Sequence, residues 1–156
     1  MSFDTRAGTR GARQPSMSSP IARWITKLAI NRIRRTGKMP GLGFSALVLT
    51  TVGRKTGAQR TTPVGWFPDT NGSRLIVASA AGAANNPAWY YNVAAHPDQV
   101  QIETAGRSEA VVAEQLHETE REQAWRQITT AAPRFAKYQE KTDRELPVLR
   151  LSPRSD

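Results

Sequence analysis

The chain has 156 residues, 22 lysines and arginines against 13 aspartates and glutamates, a formal net charge of +9 and no cysteine. This length suits one ordinary domain, and the lack of cysteine excludes disulfides, thiolate metal sites and a cysteine nucleophile. No stretch approaches the roughly 18 consecutive apolar residues of a membrane-spanning helix, and no signal-peptide pattern follows the basic start, so we expect a cytoplasmic protein.

The positive charge is concentrated near the N-terminus. Residues 1–40 contain nine Lys or Arg and one Asp, a net +8, whereas residues 41–156 contain 13 Lys or Arg and 12 Asp or Glu, a net +1. Between Asp4 and Asp69 there is no carboxylate, although this stretch carries twelve cations. Such asymmetry indicates an anionic ligand or surface as the partner.

Composition divides the chain into three segments. Residues 1–19 are rich in Gly, Ser and Arg without periodicity, which predicts a disordered basic tail. Residues 20–38 begin with Pro20 and place apolar side chains at helical spacing, which predicts a basic amphipathic helix. Residues 42–153 alternate short apolar runs with turn residues and are predicted to form the folded domain.

The helix over 20–38 has two interpretations that the sequence leaves open. It either lies on an anionic membrane, at the inner face of the cell membrane, with Trp24, Ile25 and Leu28 buried in lipid. Or it packs on the folded domain with its cationic face in solvent.

The pattern changes to strands from Phe44 onward. "SALVLTTV" and "TTPVGWF" flank a basic turn and predict a β-hairpin, and "RLIVASA" predicts a third strand. In the loop that follows, Asn86 is the predicted N-cap and Pro87 the first helical residue. "AWYYNVAA" then predicts a short helix.

The second half of the domain repeats this mixture. "QVQIETAG" and "RSEAVVAEQL" predict another hairpin, with its turn at Ala105 and Gly106. Thr119 and Glu122 have the spacing of a capping box and predict a helix that Pro133 interrupts. "LPVLRL" predicts a closing strand. Five or six strands at hairpin spacing with few helices predict an α+β fold built on a small antiparallel barrel.

The turn "TTVGRKTGAQRTTP" (residues 50–63) gathers Arg54, Lys55 and Arg60 without a carboxylate. Gly53 and Gly57 let backbone N–H groups converge on an anion, and cationic side chains add charge-assisted hydrogen bonds. The spacing differs from that of a Walker A loop, which opens a helix. A solvated cationic hairpin tip is the alternative interpretation.

The segment "SAAGAANNPAWYYN" (residues 79–92) is the second unusual loop. Its small residues allow close approach of a ligand to the backbone, and a helix N-terminus favours negative charge. Three aromatic side chains follow within one helical turn. They either face a ligand or belong to the core.

Together these loops and a third segment resemble one family. "LVLTTVGRKTGAQRTTPVGWF", "VASAAGAANNPAWYYNVAAHP" and "YQEKTDRELPVLRL", in that order, resemble the deazaflavin-dependent nitroreductases of actinobacteria, also described as quinone reductases that use the deazaflavin coenzyme F-420. The resemblance covers about residues 42–152. It implies a split β-barrel related to FMN-binding oxidoreductases, in agreement with the hairpin-rich pattern.

The resemblance also implies a site. The coenzyme's phosphate and oligoglutamate tail would be held by Arg54, Lys55, Thr56 and Arg60. Its ring would be lined by Thr61, Thr62, Pro63, Val64, Val77, Ala78, Ser79 and Ala80, and enclosed by Ala88, Trp89, Tyr90, Tyr91 and Asn92. The chemistry would be hydride transfer from reduced F-420 to an electron-poor acceptor such as a quinone, an enone or a nitro compound.

Two features depart from the family's pattern. Ala80 stands where members commonly carry a lysine, and Ala132 and Phe135 stand where tyrosines commonly face the substrate. We therefore expect a substrate pocket at Ala132, Phe135 and Tyr138 that favours quinones over nitro compounds. Tyr138, which keeps its hydroxyl, and Ser79 are the candidate catalytic residues.

Other functions have weaker support in the sequence. An FMN-binding oxidoreductase of the same fold and a non-catalytic deazaflavin-binding protein are the alternatives. Nucleic acid is disfavoured because the folded domain is nearly neutral and its aromatic residues cluster in one loop. No metal site is predicted, because His96 and His117 are far apart in sequence and have no neighbouring ligand cluster. The sequence leaves the oligomeric state open.

Overall fold

The computed structural model describes residues 3–13, 19–39 and 41–154. Its strands are β1 (Ala46–Val52), β2 (Gln59–Gly65), β3 (Phe67–Pro68), β4 (Arg74–Val77), β5 (Val100–Thr104), β6 (Arg107–Gln115) and β7 (Val148–Pro153). Its helices are α1 (Pro20–Thr36), α2 (Ala88–Ala95), α3 (Glu118–Ala131) and α4 (Arg134–Glu140). Within the described residues the strands form one antiparallel sheet in the order β2-β1-β5-β6-β7-β4-β3.

The predicted α+β fold is confirmed, and the sheet curls into a half-barrel. Strands β2 and β4 contact each other across the barrel, although four strands separate them along the sheet. The predicted strand "TTPVGWF" is divided at Trp66, whose N–H donates to the Ser45 carbonyl at 2.9 Å. The last residue of that run, Phe67, forms the short β3 together with Pro68, and this strand pairs with β4. This break accounts for a seventh strand where about six were expected.

Strand β1 is buried on both faces. Leu47 and Leu49 belong to the core inside the half-barrel, whereas Val48 packs outside it against Ile30 and Ile33 of α1. Because successive side chains of a strand point to opposite faces, both faces need apolar residues here. The C-terminal half of α1 is therefore part of the folded domain, as the packing interpretation predicts for that half.

The N-terminal half of α1 is different. Four apolar side chains at spacing i, i+3, i+4 and i+7 are exposed: Ile21 by 72%, Trp24 by 63%, Ile25 by 57% and Leu28 by 50%. We call these four residues the α1 stripe. Within the described part of the chain, no helix combines the length and the apolar character needed to cross a membrane.

Two predicted helix starts are wrong. Helix α2 begins at Ala88 with Pro87 as its N-cap, so Asn86 is not the cap. Its amide instead donates to the Thr5 carbonyl at 2.9 Å. Helix α3 begins at Glu118, which places both residues of the predicted capping box inside the helix and makes His117 the N-cap.

The predicted disorder of residues 1–19 is wrong for residues 3–13, which lie along the surface of the domain. We call residues 3–13 the N-terminal strap. Residues 1–2 and 14–18 lie outside the described part of the chain.

The strap follows the loop that comes after β4. Gly8 N–H donates to the Ala84 carbonyl at 2.7 Å, and Ala12 N–H donates to the Gly82 carbonyl at 2.9 Å. At Gly11 a Cβ atom would overlap the backbone of Ala84. The glycines that suggested disorder therefore serve another purpose, because they let two backbones approach closely.

Asp143 fastens the middle of the strap. Its carboxylate accepts hydrogen bonds from the Thr9 hydroxyl at 2.5 Å and the Thr9 N–H at 2.8 Å. These bonds, with one from the Arg10 N–H, lower the pKa of Asp143 to about 2. The carboxylate is thus ionised, and able to accept these bonds, at any neutral or mildly acidic pH.

Candidate active site

Two cavities adjoin at the open side of the half-barrel, where both are lined by Thr62, Ala88 and Trp89. We call the first, of about 600 Å³, the apolar compartment, and the second, of about 860 Å³, the basic compartment. Because three residues line both cavities, the cavities are adjacent, and we describe them together as one cleft. One end of this cleft is apolar and aromatic, and the other is cationic.

Five cations line the basic compartment. Arg54, Lys55 and Arg60 come from the turn between β1 and β2, as predicted, and Arg23 and Lys27 come from α1. No aspartate or glutamate among the described residues lines this compartment. The arrangement suits a ligand with several negative charges, because every cation can contribute a charge-assisted hydrogen bond.

Sequence reasoning missed Arg23 and Lys27, although a signal was present. On a helix, positions 23, 27 and 30 share one face, and Ile30 packs against the sheet. The two cations therefore project along the packed face, where the sheet ends and the cleft begins. The exposed α1 stripe lies on another face of the same helix.

Helix α2 holds the basic turn in place. The backbone N–H and the Nη1 of Arg54 both donate to Asn92 Oδ1, at 3.1 and 3.4 Å. The Arg54 guanidinium also lies 5.1 Å from the centre of the Tyr91 ring, a cation–π contact. Inside the turn, Gly57 has a φ of +74° and its N–H donates to the Gly53 carbonyl at 2.8 Å. The cations are thus presented by a braced turn.

The apolar compartment has an aromatic wall. Phe135 lies between Phe44 and Tyr138, with ring centres 5.6 Å apart in both pairs. Other lining residues come from β2, from the end of β4 and from the loop after β4, namely Thr62, Pro63, Val64, Gly65, Val77, Ser79, Ala80 and Ala81. Such a slot between apolar walls suits a flat ring.

Four predicted site residues line neither cavity. Ala78 and Tyr90 are buried, and the Tyr90 hydroxyl donates to Gln115 Oε1 at 2.5 Å. Tyr91 lies under Arg54, and Ala132 packs in the core beside α3. The physical reason in α2 is its helical period, because positions 88, 89 and 92 face the cleft whereas 90 and 91 face away.

The other predicted residues are brought together. The basic compartment contains Arg54, Lys55, Thr56, Arg60, Thr61, Thr62, Ala88, Trp89 and Asn92. The apolar compartment adds Pro63, Val64, Val77, Ser79, Ala80, Phe135 and Tyr138. A further residue that the sequence did not indicate is Arg134, which lines the apolar compartment with its guanidinium 5.4 Å from the Phe44 ring.

A buried arginine underlies the loop after β4. Arg144 is 2% exposed, and its guanidinium donates to carbonyl oxygens of this loop. Burial lowers the pKa of Arg144, and the nearby Tyr91 and Tyr90 act in the opposite direction. The loop itself contains Ala80 and Ala81 with φ values of +47° and +54°. These values are uncommon outside glycine, so the loop needs its surroundings to hold this shape.

The residues present fit a phosphorylated coenzyme with a flat ring. The apolar compartment lies within the volume range of about 300–1,000 Å³ that small-molecule sites occupy. The basic compartment next to it can hold a phosphate and further carboxylates. Ala88, with its small side chain, lines both compartments.

Comparison with known proteins agrees with this geometry. The model of a family described as F420H(2)-dependent quinone reductase matches residues 25–153. An F420H(2)-dependent quinone reductase of Mycobacterium tuberculosis is 36% identical over 120 residues, which are 75% of this chain and 78% of the relative. A solved F420-H2 dependent reductase, FDR-A, is 35% identical with a TM-score of 0.62, and the match covers 69% of this chain and 93% of that one.

A second solved structure, described as a domain-swapped dimer, is also 35% identical, with a TM-score of 0.63 over 69% of this chain and 79% of that one. The predicted resemblance and the split-barrel fold are confirmed by these matches. The range matched by the family model includes both loops that form the cleft and the segment that carries Tyr138 and Arg144. The chain belongs to the F420H(2)-dependent quinone reductase family.

Proposed function

We propose that the protein transfers a hydride from reduced F-420 to a quinone. Family membership supports the cofactor and the class of acceptor. The observation that carries the proposal is the cleft itself, in which an apolar slot continues into a compartment lined by five cations. When bound, F-420 supplies the hydride from its reduced deazaflavin ring.

The chain's own residues bind the coenzyme, orient its ring and exclude water from the cleft. Arg54, Lys55 and Arg60 hold the phosphate and the carboxylates of the tail. Pro63 and Trp89 enclose the ring between apolar surfaces. Reacting atoms must approach to about 3–3.5 Å, so a rigid wall that fixes the two flat molecules contributes directly to the rate.

The aromatic wall favours a quinone as the acceptor. Phe135 offers a flat apolar surface, and Tyr138 offers the one hydroxyl among the described aromatic residues of this wall. A quinone that receives a hydride also needs a proton at its oxygen to become a hydroquinone. We infer that the Tyr138 hydroxyl donates a hydrogen bond to that oxygen and passes it a proton from solvent, because Tyr138 lines the apolar compartment.

The first prediction tests this function with the purified protein. Reduced F-420 is mixed with a naphthoquinone or a bicyclic nitroimidazole, and the return of the oxidised coenzyme's absorbance is followed. We expect a higher kcat/KM for the quinone, and Tyr138→Phe should lower kcat about 100-fold or more, the lower end of the range for assisted proton transfer. Lack of turnover with any quinone would contradict the proposed activity. A parallel titration with FMN tests the alternative cofactor. Tighter binding of FMN than of F-420 would establish FMN as the cofactor.

We also propose that the α1 stripe docks on an anionic bilayer. Its four side chains are the most exposed large apolar residues in the described chain, and they form one face of the helix. The neighbouring cations of α1 complement anionic headgroups, which attract basic segments by about 1 kcal/mol per residue near the surface. Lipid-soluble quinones would then reach the cleft from the bilayer on which the helix lies.

The second prediction follows from this surface. The double variant Trp24→Ser/Leu28→Ser should bind vesicles containing phosphatidylglycerol at least about tenfold more weakly, because burying each side chain contributes about 1.5–3 kcal/mol. Sedimentation with vesicles at low salt measures the effect. Val112→Ser, at the other exposed large apolar residue (39% exposed), is the matched control. The proposal is wrong if the wild type does not bind vesicles but forms a dimer and the double variant does not dimerise. In that case a second copy of the chain covers the α1 stripe.

A further inference from the structure

We propose that Arg144 is a positioning residue for the deazaflavin ring: it fixes the loop over 78–83 and polarises a peptide group that this loop turns toward the apolar compartment. The inference rests on the proposed function, because it concerns how the same cleft receives its cofactor.

All three nitrogens of the Arg144 guanidinium donate hydrogen bonds. Nε donates to the Ala83 carbonyl at 3.2 Å, and Nη2 donates to the same carbonyl at 3.0 Å and to Ser79 at 2.9 Å. Nη1 donates to the Ala78 carbonyl at 2.9 Å and to Asn86 Oδ1 at 2.7 Å. All of these partners are neutral oxygens of one loop. The guanidinium thus makes five hydrogen bonds to four oxygens at fixed positions, which the three donors of a lysine cannot do.

These contacts lie on both sides of a strained segment. Ala80, Ala81 and Gly82 all have positive φ values, of +47°, +54° and +84°. The guanidinium holds the carbonyls of Ala78 and Ser79 before this segment and that of Ala83 after it. By bonding to carbonyls on both sides of the segment, it holds the two ends of the loop together. It thereby keeps two alanines in a backbone conformation that is unfavourable for them.

The same contacts act on the opposite side of the loop. All peptide bonds of the described chain are trans, so each N–H points away from the carbonyl of its own peptide group. The peptide group whose Ala78 carbonyl bonds to Arg144 carries the N–H of Ser79, and Ser79 lines the apolar compartment. A charged donor on a carbonyl polarises the peptide and makes its N–H a stronger donor. Carbonyl oxygens at the pyrimidinedione edge of a deazaflavin are suitable acceptors.

The test compares ring binding with tail binding. Wild type, Arg144→Lys and Arg144→Met are titrated with F-420 and with the tailless deazaflavin riboside, and binding is followed by fluorescence. We expect Arg144→Met to weaken riboside binding at least about tenfold and Arg144→Lys by a smaller factor, with the same factors for the full coenzyme. In Arg144→Met, the shift of the riboside's absorption band on binding should also be smaller than in the wild type, because N–H donation at the ring edge is weaker.

The matched control is Arg121→Met. The Arg121 side chain is only 12% exposed and donates to the Leu146 carbonyl at 2.8 Å, but it lines neither compartment. The Arg121→Met variant should have a lower Tm than the wild type and the same affinity for the riboside. Equal riboside affinity in wild type and Arg144→Lys, with unchanged hydrogen exchange at residues 79–84, would overturn the inference, and so would an equal loss in Arg121→Met. A wild type that binds neither deazaflavin would instead overturn the proposed function.

Discussion

Replacing Arg54 and Arg60 together by alanine should weaken F-420 binding about 100-fold or more. A hydrogen bond to a charged group contributes about 1.5–3 kcal/mol, and each variant side chain removes at least one such bond to the phosphate or the tail. Both residues are exposed at the cleft, so their loss leaves the core intact. Fluorescence titration at fixed ionic strength measures the effect.

The tailless riboside separates this effect from general damage. Its affinity should change less than about threefold in the double variant, because it carries neither phosphate nor tail carboxylates. Arg126→Ala is the control for net charge, since Arg126 is exposed on α3 and lines neither compartment. The length of the glutamate tail offers a further check. F-420 with a long tail should bind more tightly than F-420 with a short tail, and Arg23→Ala/Lys27→Ala should reduce that difference in affinity. Unchanged affinity in both double variants would show that the basic compartment does not hold the anion.

Gly82→Ala should be the most destabilising small substitution in the loop after β4. Gly82 has a φ of +84°, and an added Cβ would lie 2.6 Å from the Tyr138 carbonyl oxygen and 3.2 Å from Lys141 Cβ. A left-handed alanine costs about 1–2 kcal/mol, and the overlap with α4 adds about 1–3 kcal/mol. For a domain of this size that corresponds to a Tm lower by about 4–20 °C.

Gly106→Ala isolates the two parts of this cost. Gly106 has nearly the same φ, +81°, but nothing lies within 4 Å of its added Cβ. The difference in Tm between the two variants therefore reports the overlap with α4 alone. Because α4 carries Phe135 and Tyr138, Gly82→Ala should also weaken riboside binding, whereas Gly106→Ala should not. Equal losses of stability in the two variants would contradict the close approach of the loop to α4.

Local patterns were enough to predict the hairpins and the basic turn. Ala105 and Gly106 mark a tight turn, and the antiparallel register from Thr104 and Arg107 outward follows from it. Arg54, Lys55 and Arg60 stood out because no carboxylate accompanies them. These signals are carried by residues close together in the sequence.

The strap could not be predicted from such signals. Its partners are distant in the chain, as Thr9 and Asp143 show, and its glycines read as flexibility when the opposing backbone is unknown. The same holds for Arg144, which resembles an ordinary surface arginine in sequence. Only the fold brings the loop carbonyls around it. Tyr90 and Tyr91 were misplaced for a related reason, because an aromatic cluster does not reveal which of its members faces the cleft.

The position of β7 in the sheet bears on the order in which the molecule can form. This strand follows the others in the chain, yet it lies between β6 and β4. During synthesis, β3 and β4 therefore have no neighbour that joins them to the rest of the sheet until β7 has left the ribosome. The β1–β2 turn and the loop after β4, which make the two ends of the cleft, are joined through the sheet only at that late step. Long-range pairing of this kind slows folding and leaves strand edges open to other chains in the meantime. A nascent chain therefore has no complete cofactor cleft until β7 is in place, so coenzyme can stabilise the finished protein but cannot guide its early folding.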